Sequence, residues 1–255
     1  MPTPGLVSVS FRSLTCERII DVAKNAGLRS VEWGGDVHVP AGDAAKAAEI
    51  CRRTAAAGLT VAAYGSYYKL GTHEAPAAEW RKALDSAVAL RAPVVRIWAG
   101  VRASVAVNET ERVALVREAR AAADAAAEHG ITVAFECHRD TLTDEYHSAL
   151  RLQKEIGRPN VKLYWQPNEE RDFAYNKEAL AALLPEVINL HVFHWPRPGV
   201  RLPLRDGADD WREYLKIAAS DGKDRACLLE FMPDDRPETL KGEAETLRGW
   251  IGNPA

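Results

Sequence analysis

No two of the four cysteines, Cys16, Cys51, Cys137 and Cys227, lie at CxxC spacing. That leaves reduced, mostly buried thiols in a cytosolic protein as the plain reading. No apolar run approaches the about 18–20 residues that a membrane helix needs. The first ten residues, MPTPGLVSVS, lack a charged segment and a long apolar core, so no signal peptide is expected. Basic residues are not in excess: the formal net charge is -3, which argues against a nucleic-acid partner. These absences point to a cytoplasmic protein that neither spans a membrane nor binds DNA or RNA.

What is present is ordinary globular composition over 255 residues, 47% hydrophobic and 27% charged. The stretch GITVAFECHRDTLTD, Gly130 to Asp144, is the most telling. Ile131 to Phe135 reads as a strand buried on both faces. It ends on Glu136, with His138 two residues later. A buried, unpaired carboxylate is costly, so a metal, a cation or a substrate proton must meet it.

The rest of the chain repeats that plan. Strands are expected at Gly5 to Phe11, Leu28 to Trp33, Thr60 to Tyr64, Pro93 to Trp98, Ile131 to Phe135, Val161 to Trp165, Val187 to Val192 and Arg225 to Phe231. Helices are expected at Thr15 to Asn25, Ala44 to Ala57, Pro76 to Leu90, Asn108 to Glu128, Thr143 to Ile156, Lys177 to Leu184, Asp209 to Ala219 and Pro237 to Ile251. Asn108 and Glu111 resemble a capping box, and Asp235 is the expected cap of the last helix. Eight strand–helix units in strict alternation predict parallel crossovers that close into a single (β/α)8 barrel, an α/β domain spanning residues 1–255. An open doubly wound sheet would carry a glycine-rich turn after its first strand; SFRSLT stands there instead.

Barrel chemistry sits at the C-terminal strand ends. Those positions read Glu32, Tyr64, Trp98, Glu136, Gln166, His191 and Glu230. Carboxylate, amide and imidazole donors from strands five to eight suit Mn²⁺, Mg²⁺, Co²⁺ or Zn²⁺. His38, in GGDVHVP, is a further substrate candidate on a loop that glycines allow to lean over the mouth. Tyr64, Tyr67, Tyr68, Trp98, Trp165 and Trp195 follow strands three, four, six and seven, as aromatic walls of a sugar site or as core. His73, His129 and His147 read as surface.

Five pieces in order, VEWGGDVHVP (31–40), FECHRDTLTD (135–144), LYWQPN (163–168), NLHVFHWPR (189–197) and LLEFMPDD (228–235), make the chain resemble the xylose isomerase-like TIM-barrel superfamily. That group holds sugar isomerases, epimerases, dehydratases and endonuclease-IV-type repair enzymes. The resemblance implies a metal held by Glu136, Gln166, His191 and Glu230, with Gln166 standing where the family has Asp. The family's His three residues later is also replaced, by Glu169. The resemblance also favours His191 over His194 as ligand and places a substrate-binding Arg at Arg197.

The expected function is a metal-assisted isomerase or epimerase of a small polyhydroxy carbonyl compound. Glu136 and Glu230 would be the catalytic carboxylates, and His38, Tyr64, Trp98, His138, His194 and Arg197 would bind substrate. Several alternatives stay open. Glu136 and Glu230 could pair with Arg96 or Arg197, and Gln166 could bond loop backbone. A dehydratase uses the same first step. A metal-free sugar-binding barrel and, least favoured, a DNA-repair phosphodiesterase complete the set. The partner expected is a small-molecule substrate, with no nucleic acid or membrane; a homodimer is compatible with this reading.

Overall fold

A computed structural model describes residues 2–252. Eight parallel strands close into a barrel: β1 (Pro2–Val7), β2 (Ser30–Gly34), β3 (Thr60–Lys69), β4 (Val94–Trp98), β5 (Thr132–Glu136), β6 (Val161–Trp165), β7 (Val187–Val192) and β10 (Arg225–Leu229). β1 pairs with β10 and with β2, which completes the closure. The expected (β/α)8 fold is therefore the observed one. The wall is wrapped by α1 (Cys16–Asn25), α2 (Ala44–Ala56), α3 (Pro76–Leu90), α4 (Glu109–Ala127), α5 (Tyr146–Ile156), α6 (Phe173–Leu183), α7 (Ala208–Ala219) and α8 (Leu240–Gly252). None of the described helices is long and apolar enough to cross a membrane.

Strand alternation divides the apolar residues into two cores. Val7, Ala63, Val94, Ala134, Tyr164 and Leu228 fill the barrel interior, while the larger set, including Ile97, Phe135 and Leu229, packs outward against the helices. Because side chains repeat every two residues along a strand, the next inward positions toward the C-terminal rim are Gly65, Arg96, Glu136, Gln166 and Glu230. The apolar interior layer thus sets which side chains converge above it. Gly65 leaves space there: a Cβ would come within 2.7 Å of Glu32 Oε1 and 2.8 Å of Arg96 Nη2.

Several ends depart from the expected ones. β1 stops at Val7, and Ser8–Phe11 becomes a 3-10 turn. Its serines serve neighbouring strands: Ser8 Oγ accepts from Gly34 N at 2.9 Å and Ser10 Oγ from Phe231 N at 2.9 Å. The expected start of α5 at Thr143 fails because the Thr143 hydroxyl donates to Glu136 O at 2.5 Å, and Glu145 caps the helix instead. Asp235 does not cap α8; it takes a left-handed φ of 54° and grips Arg201 at 2.6 Å. Asp234 bonds Arg236 N and Thr239 Oγ1 there. The capping box of α4 is present, with Asn108 and Glu111 exchanging two 3.0 Å bonds. An antiparallel hairpin, β8 (His194–Arg197) and β9 (Val200–Leu202), was not expected and rises beside the mouth.

Candidate active site

The inward rim residues build one buried ionic cluster. Arg96 Nε donates to Glu32 Oε1 at 2.7 Å, and its Nη1 donates to Glu136 Oε2. The Trp98 indole N–H donates to that same Glu136 oxygen. His191 stands on the far side. Its Nε2 lies 3.3 Å from Glu32 Oε2, and its Nδ1 lies 3.0 Å from Gln166 Oε1, 3.4 Å from Glu230 Oε2 and 3.6 Å from Glu136 Oε1. All five charged or titratable members are buried.

Burial opposes every charge in the cluster, and the partners decide which survive. For Glu32, burial is outweighed by Arg96 and His191, which bring its pKa down to about 2. Burial of Glu136 is likewise overcome by Arg96 and His191, so its carboxyl titrates well below the usual range. Glu230 differs. Burial pushes its pKa up, His191 opposes, and Glu136 adds to the rise. Burial would neutralise His191, yet Glu230 and Glu32 hold its pKa up at about 10. One carboxylate of the pair is tied to a guanidinium and an indole, while the other is left basic.

Glu136, His191 and Glu230 each offer a ligand atom, all within 4.8 Å of one another. Donors about 2.1 Å from one ion lie about 3.0 Å apart at right angles and about 3.4 Å apart at tetrahedral angles. The 3.0, 3.4 and 3.6 Å distances from His191 Nδ1 match that spacing. The charges match as well. Three buried carboxylates face one guanidinium and the His191 imidazolium, so the cluster lacks one positive charge, which a divalent cation displacing the Nδ1 proton would supply. If Nε2–H donates to Glu32, Nδ1 is free to ligate, the arrangement in which a carboxylate orients a ligand histidine. The donor set therefore fits a divalent cation held by Glu136, Gln166, His191 and Glu230. Gln166→Glu keeps the side-chain length and adds a charge. It is expected to tighten Mn²⁺ binding about tenfold or more, read by titration calorimetry. Equal or weaker affinity would remove residue 166 from the ligand set.

Above the cluster opens a cavity of about 190 Å³, lined by Arg12, Tyr67, Arg96, Trp98, Glu136, His138, Gln166, Glu169, Phe193, Trp195, Glu230 and Phe231. That is small beside the about 300 Å³ at which drug-sized pockets begin. Three larger spaces lie beyond it: one of about 230 Å³ lies beside Leu70, Gly100 and Leu115, and two are larger still. One of about 450 Å³ runs between α3 and α4 on the outer wall, away from the rim carboxylates. The other, about 760 Å³, is an open vestibule sharing Glu169 and Trp195 with the cavity. His138 stacks on Trp98 with ring centres 5.0 Å apart, and its Nδ1 lies 2.7 Å from Arg139 O. Nδ1–H donates to that carbonyl, which leaves Nε2 as an acceptor in the neutral ring.

The structure thus brings Glu136, Gln166, His191, Glu230, Trp98 and His138 together. It does not bring four other sequence candidates there. His38 is buried, with Nε2 3.1 Å from Leu14 O and its ring edge-on to Trp33. The glycines before it fold the loop down against the barrel wall. Tyr64 points outward and donates to Val39 O at 2.9 Å, one residue out of phase with inward Ala63. His194 turns from the cavity toward Gly207, where a Cβ would come within 2.4 Å of its Nδ1. Arg197 is exposed on the hairpin, and Arg201 instead lies against Trp195 and Phe231. Tyr68 and Trp165 also point outward, to Trp80 and to Trp211. Of the ion pairs weighed from sequence, the one between Arg96 and Glu136 is present. Gln166 bonds His191 rather than loop backbone. Arg12, Glu169, Phe193 and Phe231 were missed as cavity residues. Arg12 and Phe231 lie just past the ends of β1 and β10, where alternation stops being informative.

The chain is a parallel barrel with a buried Glu/His/Glu group, able to hold a metal ion, and an amide at its C-terminal mouth. The family model described as xylose isomerase-like TIM barrel matches residues 20–250, and the chain belongs to that family. Solved structures similar to it include the probable 3-DHS dehydratase AsbF from Bacillus anthracis, involved in petrobactin synthesis. That protein is 20% identical, with 97% of this chain and 98% of that one covered and a TM-score of 0.80. D-allulose 3-epimerase from Methylomonas sp. is 16% identical, covering 97% of each chain, with a TM-score of 0.71. A xylose isomerase-like TIM barrel protein from Mycobacterium smegmatis, in complex with magnesium, is 14% identical, covering 98% of each chain, with a TM-score of 0.68. At such identities the likeness is one of fold. No curated protein matches the sequence.

Proposed function

We propose that the protein is a divalent-metal-dependent isomerase or epimerase of a small polyhydroxy carbonyl compound, working by transfer of a carbon-bound proton. The observation that carries this reading is the asymmetry of the two carboxylates: Glu136 is held by Arg96 and Trp98, and Glu230 is held by neither. Glu136, Gln166, His191 and Glu230 would hold a divalent cation of the Mn²⁺, Mg²⁺, Co²⁺ or Zn²⁺ type, which would supply Lewis-acid polarisation of a carbonyl. Glu230 takes the proton from the carbon next to the carbonyl, the C–H electron pair becomes a C=C bond, and the carbonyl π pair moves onto oxygen. That proton exchanges with solvent, and a proton then returns to the neighbouring carbon in an isomerase, or to the opposite face of the same carbon through His138 in an epimerase. Arg96 neutralises Glu136 and keeps it from competing as a base. His138, through Nε2, accepts a hydrogen bond from a substrate hydroxyl. The aromatic walls cover apolar carbon faces and exclude water.

A second reading shares the first step. His138, which lines the same cavity as Glu230, provides another acid–base group, which in protonated form releases a hydroxyl as water, and the structural neighbours include a probable dehydratase as well as epimerases. Incubation of ketoses, aldoses, inososes and hydroxypyruvate in D₂O with added Mn²⁺ tests the proposal. Deuterium is expected next to the carbonyl of at least one of them, by NMR. Loss of water after uptake selects the dehydratase. Interconversion with no uptake replaces proton transfer by a hydride shift, and an inert panel favours a binding barrel.

A further inference from the structure

Two aromatic residues of the cavity wall sit in a backbone conformation that bulky side chains rarely adopt. Tyr67 has φ 59° and Phe231 φ 52°. The left-handed region is unfavourable for such residues and persists only where the surroundings enforce it. Tyr67 lies where β3 loses register with β4, between Gly65 and Lys69. Phe231 directly follows Glu230 and is fixed by Ser10, which accepts from its backbone N–H.

Both side chains line the cavity, and both are only half-buried. They share one brace. Arg12 Nη2 donates to Tyr67 Oη at 2.7 Å, and its guanidinium carbon lies 5.6 Å from the Phe231 ring centre. Arg12 is itself tied to Asp36 at 2.9 Å and to Val9 O at 3.3 Å. Three of its five N–H donors are thus engaged and two remain. The Tyr67 ring centre also lies 5.8 Å from Arg96 Cζ, over the ionic cluster. Both rings pack on the barrel side, against its interior layer, and not in the outer core beneath the helices.

We infer that Tyr67 and Phe231 are positioning residues. Their strained backbones turn the two rings over the cavity to seat the non-reacting carbon face of the substrate above Glu230. Arg12 braces the pair and offers its spare donors to a substrate oxygen. The inference rests on the cavity being the substrate site proposed above.

Thermal unfolding of the full chain, without ligand, tests it independently of the reaction. Tyr67→Gly and Phe231→Gly relieve the strain, while Tyr67→Ala and Phe231→Ala remove the ring and keep it. Each glycine variant is expected to melt about 2–4 °C above its alanine partner and no more than about 4 °C below the native chain. A glycine variant that melts with or below its alanine partner, or further below the native chain as a core aromatic deletion does, overturns the inference. With a compound found to exchange deuterium, both glycine variants are expected to lose at least about tenfold in kcat/KM. Arg91→Gly, at a left-handed helix end outside the cavity, should lose nothing. An unchanged kcat/KM at positions 67 and 231 overturns the inference as well.

Discussion

Glu230→Gln is expected to lower the rate of deuterium exchange by about 10²–10⁴-fold, the range that a positioned general base contributes. The change keeps the side chain's volume and an oxygen donor, so loss of the base is separated from loss of packing. Glu230 is buried, and its pKa is raised by that burial and by Glu136. It has no guanidinium partner among the described contacts, so its oxygens keep their basicity. Glu136→Gln acts differently. It removes the anion that Arg96 and Trp98 grip and leaves Arg96 with Glu32 alone. Its main expected effect is weaker Mn²⁺ binding, with exchange partly recovered at higher Mn²⁺. Single-turnover exchange and Mn²⁺ titration of the two variants side by side read the division of labour. If Glu136→Gln abolishes exchange at saturating Mn²⁺ and Glu230→Gln does not, the two roles are reversed.

The period-two pattern carried most of the legible information. Glu136, Gln166 and Glu230 each stand two residues past an interior-layer residue, Ala134, Tyr164 and Leu228, so their convergence follows from strands whose ends were read to within two residues. Tyr64 was misplaced because β3 was taken to end there. The strand runs on to Lys69 with a break in register, and the phase is set by Ala63. His38 was misplaced because two glycines permit a loop to bend either way, and only the contact with Leu14 and Trp33 decides which. The hairpin at 194–202 broke the expected link from β7 to Arg197, since a strand reversal there moves every later side chain. Arg96 was legible only as an alternative. Its inward phase follows from Val94, but its choice of two carboxylates from β2 and β5 depends on barrel closure and on Gly65 lacking a side chain.

Arg96→Leu is expected to destabilise the protein by about 3–5 kcal/mol, because it leaves buried carboxylates without their cation. Arg96 is 3% exposed and bridges Glu32, at 0%, to Glu136. Both carboxylates hold their charge against burial chiefly through this guanidinium. Leucine fills part of the volume but supplies no donor, so the loss is electrostatic rather than a cavity effect. In a chain of this size the melting temperature should fall by about 6–20 °C. Arg151→Leu is the contrast. Arg151 also bridges two carboxylates, Glu109 and Glu155, but its side chain is 48% exposed, and water screens the pairs. Its loss should cost no more than about 1 kcal/mol. Arg96→Leu combined with Glu32→Gln should recover part of the stability, since it removes one of the stranded charges. Urea unfolding of the three variants provides the measure. If Arg96→Leu proves no more costly than Arg151→Leu, Arg96 is not the counter-charge of the buried cluster. The carboxylates would then keep their charge by another route, and the asymmetry between Glu136 and Glu230 would lose its physical basis.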